Sequence, residues 1–298
     1  MTGLSSFNGT VTGLAGRGIE FESLSDTALG ALSFGSAARI TGANGAAVSG
    51  STVNAALTVN SGAVLTGSTD GISINRVLGN TLIEAGSTII GQVDRALEIR
   101  ASIGGSLTAS GELRGRTSGI FLETASGRNL TINGAVEGET GSGVVISTGT
   151  GPGQILLGGT ISGGRSALAT DTTRIAAFLQ NRPGISAASV TVTAFGADGT
   201  TRSVLSGRDH GIFMAGQTTG GLDNSGTIES FGPGNGSNVA GGEAISIAGG
   251  AIRNLSGGII RAARDDALRL VTTAVSRGPF SPGRPRRSAE RAIRRNSA

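Results

Sequence analysis

The sequence predicts an all-β fold, a right-handed parallel β-helix solenoid of about ten rungs with a period of 23–25 residues. Three observations predict it: an apolar beat that recurs along most of the chain, a Gly-led beat that keeps step with it, and an unusual composition. Of 298 residues, 53 are Gly and only nine are aromatic, all Phe, yet 37% are hydrophobic. Such a chain cannot build a core from large rings. It has enough Ile, Leu, Val and Ala to escape disorder, and no apolar run approaches the length of about 18 residues that a membrane-spanning helix requires.

The first beat has the form small–apolar–x–apolar. It occurs as GRGIEF (16–21), GAAVSG (45–50), TDGISI (69–74), DRALEI (94–99), TSGIFL (117–122), GSGVVI (141–146), GRSALA (164–169), DHGIFM (209–214), GEAISI (242–247) and DDALRL (265–270). Its first apolar positions are Ile19, Val48, Ile72, Leu97, Ile120, Val144, Ala167, Ile212, Ile245 and Leu268, separated by 29, 24, 25, 23, 24, 23, 45, 33 and 23 residues. The second beat is Gly62–Val64, Gly86–Ile89, Gly111–Leu113, Gly134–Val136, Gly159–Ile161, Gly226–Ile228 and Gly258–Ile260. Six of these Gly follow the first apolar position of their own rung by 14 or 15 residues, and Gly258 follows by 13. A fixed period in this range marks stacked repeat architectures.

Within a unit such as LTVNSGAVLTGSTDGISI (57–74), apolar and polar residues alternate in short segments divided by Gly, Asn, Ser and Asp. Alternation with period two buries one face of a strand, and the abundant Thr, Val and Ile suit strands. A hairpin meander would need tight antiparallel turns and would not keep one phase. Rungs stacked about 4.8 Å apart keep it directly, giving inward columns of medium aliphatic side chains and a rod on the order of 50 Å long. Corners then require φ > 0, which Gly and Asn adopt most readily. Asn60, Asn133 and Asn224 lie near the marker Gly and suggest partial polar stacks at the corners, interrupted by Ala85, Ser110 and Gly158.

The β-helix is assigned to residues 1–271, with an insertion near 170–208, because the interval from Ala167 to Ile212 is one rung too long. TTRIAAFLQNRPG (172–184) reads as a helical or looped excursion, either a displayed binding loop or a neutral insertion. FGPGNGSNVA (231–240) reads as a flexible loop. Residues 272–298 form an Arg/Pro-rich segment expected to be disordered. Residues 277–298 carry seven Arg against one acid, leaving 17 Arg against 19 acids, a net charge of −2, for residues 1–276. The sequence pI of about 11.2 therefore reflects the tail, and no specific nucleic-acid partner is expected.

Chemistry-bearing motifs are sparse. The chain has no Cys and one His, His210, which lies beside Asp209 and reads as a turn residue, since no Ser motif accompanies it. Asp265–Asp266 and the pair Glu137 and Glu139 are the carboxylates closest to an acid/base pattern. Asp265 and Asp266 would point to opposite faces of a strand, whereas Glu137 and Glu139 could share an outward one. The Gly-rich runs GPGQILLGG (151–159) and FGPGNGS (231–237) lack phosphate-loop spacing. No catalytic, cofactor-binding or metal-binding residue is assigned, and no cofactor is expected.

Segments such as LTVNSGAVLTG (57–67), LTINGAVEGETGSGVVI (130–146) and LDNSGTIES (222–230) resemble the passenger region of bacterial autotransporters, over roughly residues 7–270. The resemblance implies a non-enzymatic stalk or adhesin, exported through the outer membrane and displayed at the cell surface or secreted, with virulence-associated contact to a host or bacterial surface protein or polysaccharide. MTGLSSFNGTVTGLAG (1–16) lacks a basic and apolar signal pattern. A chain without Trp or Tyr does not supply the aromatic girdles of a translocator barrel, so the chain reads as a fragment of a longer protein. The alternative is a polysaccharide lyase or hydrolase on the same scaffold, which predicts a groove where acids and basic residues converge.

Overall fold

A computed structural model describes residues 4–21, 30–125, 127–147, 152–164, 166–170, 187–232, 242–263, 266–270 and 276–277. Among the described residues every regular element is a strand. The strands form three parallel sheets of 11, 10 and 10 strands, here A, B and C, and each strand pairs with its counterparts three places before and after it in the chain. One rung is therefore one strand from each sheet. In the third rung these are β7 (Leu57–Val59), β8 (Val64–Gly67) and β9 (Ile72–Val77). The expected parallel β-helix of about ten rungs is the fold observed.

The alternation in sequence maps onto the burial. In sheet B, Ile40, Leu65, Ile89, Leu113, Val136, Ile161, Leu205, Ile228 and Ile260 follow one another in register and are all buried. Sheet C supplies Val48, Ile72, Leu97, Ile120 and Val144 in the same way. Each fully buried Leu or Ile contributes roughly 2 kcal/mol of hydrophobic stabilisation, summed along the axis. Phe34 is the largest fully buried side chain among the described residues; its ring stacks on Phe7 at 5.8 Å, near the start of the rod. The small residue of the first beat also has a steric cause: a Cβ on Gly71 would lie 2.4 Å from the Cγ2 of Ile89, across the narrow coil.

A glycine column that the sequence reading did not single out closes the corner between sheets B and C. Gly13, Gly42, Gly67, Gly91, Gly115, Gly138, Gly163 and Gly207 are stacked in register on eight successive rungs. The chain folds back so tightly there that a Cβ on Gly67 would lie 1.8 Å from the carbonyl oxygen of Asp70. The Gly of the second beat mixes two causes. Gly62 and Gly86 have positive φ, 86° and 82°, as expected, whereas a Cβ on Gly134 would sit 2.2 Å from the carbonyl oxygen of Gly111 on the neighbouring rung.

Several expectations change. The seventh marker is Leu168, not Ala167: Leu168 pairs with Val144 and Ile212, so the intervals become 24 and 44 residues. Val64 points away from the core and Leu65 takes the inward position. The insertion near 170–208 is two excursions. One lies between β21 (Ser166–Thr170) and β22 (Ser189–Val192), and TTRIAAFLQNRPG is outside the described residues; the other is a loop between Val192 and Val204. FGPGNGSNVA (231–240) is described only at Phe231 and Gly232. The ladder of sheet A extends beyond residue 271, because β31 (Ser276–Arg277) pairs with β28 (Ile252–Asn254). The remainder of 272–298 is outside the described residues.

The asparagines also divide. Asn224 occupies an inward column position, pairs in register with Asn254, and donates to its Oδ1 at 2.8 Å. Asn60 and Asn133 lie one position past the inward column, where Asn133 accepts from the Ser110 hydroxyl at 2.7 Å.

Candidate functional site

The carboxylates considered from sequence are not brought together. Glu137 is exposed on the outer face of sheet B, 3.9 Å from Arg114, while Glu139 lies beyond the Gly138 corner, so the two do not share a strand face. Asp266 is exposed and Asp265 is outside the described residues. His210 is the first residue of β24 (His210–Gln217), not a turn residue. It is buried, lies 3.2 Å from the buried carboxylate of Glu243 on the next rung, and tilts against the Phe213 ring at 5.1 Å. Among the described residues, no group of three or more His, Cys, Asp and Glu is placed to hold a metal ion, and no helix is long and apolar enough to cross a membrane.

A different constellation forms on the outer face of sheet C. The residue after each first apolar position points outward, and on the first four rungs it is Glu20, Ser49, Ser73 and Glu98, stacked in register. On the next two rungs it is Phe121 and Val145, so the polar run of the first four rungs ends there; Ser246 and Arg269 take the position again only on the last two rungs. In sequence these residues lie roughly one period apart, and no local motif marks them.

Glu98 is the anchor of this face. It is 4% exposed, accepts from the Ser73 hydroxyl at 2.5 Å and from Arg100 Nε at 2.7 Å, and is ion-paired with Arg95 Nη1. The Arg95 guanidinium also lies 4.0 Å from the Phe121 ring centroid, a cation–π contact that closes the polar patch against the apolar one. Arg100 reaches Glu98 from a β-bulge. The register runs from Ile99↔Ile74 to Ser102↔Arg76, so two residues, Arg100 and Ala101, oppose Asn75 alone. Bulges re-aim side chains in this way and recur beside functional sites. The hydrogen bond to Glu98 raises the pKa of Arg100 above its ordinary value and keeps it charged.

A groove of about 700 Å³ runs beside these residues across the first five rungs, from Arg17 and Phe21 through Ser49, Asp70 and Ser73 to Thr117. Asp70 sits at the B–C corner and is 7% exposed. Burial pushes its carboxyl above the usual carboxylate range, with the neighbouring Glu98 and Asp94 acting in the same direction; a hydrogen bond from the Arg95 backbone N–H at 3.2 Å opposes this. The hydroxyl of Ser49, also buried, lines the groove with no hydrogen-bond partner.

No family model matches the chain, and no curated protein or solved structure shows significant similarity to it. The architecture and the side chains themselves therefore carry the functional argument.

The loop between Val192 and Val204 is a second outward feature. Phe195 and Arg202 form an antiparallel bridge at its neck, and Phe195 is 44% exposed. At its tip Asp198 accepts from the Thr201 hydroxyl and from the backbone N–H groups of Thr200 and Thr201. These bonds, led by the Thr201 hydroxyl, favour the ionised form and hold the Asp198 pKa well below its ordinary 3.8. A depressed folded-state pKa stabilises the tip above pH 3.8, and this contribution is lost as pH falls through the folded value. Side-chain carbonyl NMR is expected to show an Asp198 midpoint below 3.8, with the Thr200 and Thr201 amide shifts moving in step with it. A midpoint at or above 3.8 would contradict the turn geometry.

Proposed function

We propose that this chain is a contact rod of the autotransporter-passenger kind, a non-enzymatic stalk or adhesin segment displayed at, or released from, a bacterial cell surface. The observation that supports this reading is the parallel stacking of three sheets of ten or eleven strands, with the core held to one narrow aliphatic column per inward position. Such an architecture commits little of each rung to its interior. It sets out a long, laddered outer face in which side chains 23–25 residues apart in sequence become neighbours about 4.8 Å apart. The partner in this reading is a surface protein or polysaccharide of a host or of other bacteria.

The test is retention. Microspheres coated with the purified chain are expected to adhere to epithelial monolayers or to intact bacterial cells severalfold more than microspheres coated with an unrelated β-rich protein. Equal retention on all of these surfaces would overturn the reading.

A second reading, a polysaccharide-cleaving enzyme on the same scaffold, is favoured by one observation: Asp70, a carboxyl whose pKa burial raises above its ordinary value, faces a groove that also holds guanidiniums. It predicts release of reducing or unsaturated ends from polysaccharides, abolished in Asp70→Asn at unchanged melting temperature.

A further inference from the structure

We propose that the groove on the outer face of sheet C is a binding site for an extended, uncharged glycan strand, held by Asp70, Ser49 and Ser73 and by the apolar surface of Val93. The proposal rests on the reading of the chain as a contact rod and specifies the chemistry of one of its contacts.

Three features select this ligand class. The first is the balance of polar groups. The guanidiniums near the groove are already engaged, Arg17 with Glu20 and both Arg95 and Arg100 with Glu98. What remains is a buried carboxylate with one backbone donor, Asp70, and a buried hydroxyl with no partner, Ser49. A carboxylate and hydroxyls fit vicinal hydroxyl groups, which both donate and accept. They repel the carboxylates or sulfates of an acidic polymer: the groove residues Glu20, Asp70 and Asp94 outnumber Arg17 and Arg100.

The second feature is the orphaned Ser49 Oγ. A buried hydroxyl without a partner costs about 1–3 kcal/mol, and a ligand hydroxyl seated in the groove would supply the missing bond. The third is shape. The groove spans five rungs, about 19 Å along the axis, which matches a strand of several sugar units better than a single small molecule. Val93, 56% exposed, contributes apolar surface for the face of a sugar ring, while Phe21 closes the end of the groove with its ring turned inward against Gly50 and the core. A peptide strand is a poorer fit. Its main chain binds at an open sheet edge, and the floor of this groove is the side-chain face of strands β6 (Val48–Val53), β9 and β12 (Arg95–Ile103), whose backbones are already paired.

The purified chain is tested by titration calorimetry against hexasaccharides of neutral glucans, mannans, xylans and galactans, their disaccharides, and oligogalacturonate. A neutral hexasaccharide is expected to bind at least about tenfold more tightly than its disaccharide and than oligogalacturonate. Asp70→Asn is expected to weaken that binding about tenfold, the effect of removing one charge-assisted hydrogen bond. Ser49→Arg, which fills the groove, is expected to abolish it. Asn44→Trp, at the exposed groove lip, gives a second blocking variant if Ser49→Arg does not fold as judged by its circular dichroism melt.

Absence of binding to every neutral hexasaccharide, a preference for oligogalacturonate, or unchanged affinity in a folded blocking variant would each overturn the proposal. Microsphere adhesion that is lost in Ser49→Arg without any glycan binding would assign the groove to a protein partner and leave the contact rod standing. Glycan binding by microspheres that adhere to no cell would do the reverse.

Discussion

Gly115→Ala is expected to remove the cooperative unfolding transition of the rod, although the added group is one methyl. A Cβ at this position would lie 1.8 Å from the carbonyl oxygen of Ser118 and 2.7 Å from the backbone nitrogen of Ala96. Both obstacles are main chain, so no change of rotamer relieves them. The corner must open, and its own rung-to-rung bonds lie directly in the way: Gly91 accepts from the Arg116 N–H on one side, and Gly115 accepts from the Glu139 N–H on the other. Above and below stand Gly91 and Gly138, whose own added Cβ atoms would lie 2.0 and 2.2 Å from a carbonyl oxygen, so neither corner has slack to share.

A cost above about 4 kcal/mol belongs to this kind of backbone clash, and that is a large part of the roughly 5–15 kcal/mol by which a domain is stable. Because a solenoid is held by nearest-neighbour interfaces, one open rung uncouples the halves of the rod. Urea unfolding followed by circular dichroism should lose its single steep transition, and limited proteolysis should cut near residues 115–118. Gly16→Ala is the control: nothing lies within 4 Å of its added Cβ, so its unfolding free energy should stay within about 0.5 kcal/mol of the parent. Similar midpoints for both variants would show that the corner is looser than its geometry.

This glycine column also shows what the sequence conveys and what it hides. The apolar beat was legible because each Ile, Leu or Val of sheet C is followed by a second inward residue two places on, a local pattern that needs no knowledge of the fold. The phase went astray where the local pattern was ambiguous. In GRSALA, Ala167 and Leu168 are both apolar, and pairing with Val144 and Ile212 decides for Leu168. The terminal Gly of VLTG, TIIG and ELRG looked like one more turn glycine in a chain with 53 of them. Its cause is the approach of a carbonyl three or four residues ahead, which no single-residue preference reveals.

The site was hidden for a related reason. Glu137 and Glu139 attracted notice because they are close in sequence, and the corner at Gly138 separates them. Ser49, Ser73 and Glu98 lie 24 and 25 residues apart and become adjacent only when rungs stack. The signal that would have found them is the column read across the repeat, one place after the first apolar residue, where polar residues occupy four successive rungs and then give way to Phe121. The bulge at Arg100–Ala101 leaves no trace in the alternation either, since an extra residue in one strand is defined only against its neighbour.

Glu98→Ala is the substitution that joins fold and groove, and it is expected to destabilise the chain by about 3 kcal/mol. Removing one member of a buried ion pair strands the other in a poorly solvated place, and the usual cost is about 3–5 kcal/mol. Here the two cations differ. Arg100 is 58% exposed at its side chain and can rehydrate, so its loss of a partner adds little. Arg95 is 26% exposed, lies over Phe121, and keeps Asp94 at 3.6 Å and the nearby Asp70 carboxyl as negative neighbours without a close replacement for Glu98, so it accounts for most of the effect. These opposing considerations place the expected value at the lower end of the range.

The cause is separable from lost packing by a double-mutant cycle. Glu98→Ala combined with Arg95→Ala is expected to cost at least about 1 kcal/mol less than the sum of the single variants, because the double variant no longer buries an unpaired charge. Strict additivity in urea melts would mean that Glu98 acts only by filling space. The same cycle reads the groove. Glu98 holds the Ser73 hydroxyl by the 2.5 Å hydrogen bond, so Glu98→Ala frees that hydroxyl to rotate and is expected to weaken glycan binding severalfold while leaving Ser49 and Asp70 in place. Weaker binding that persists in the double variant, where no unpaired charge is buried, would mark Glu98 as a positioning residue for the groove rather than a strut of the rod alone.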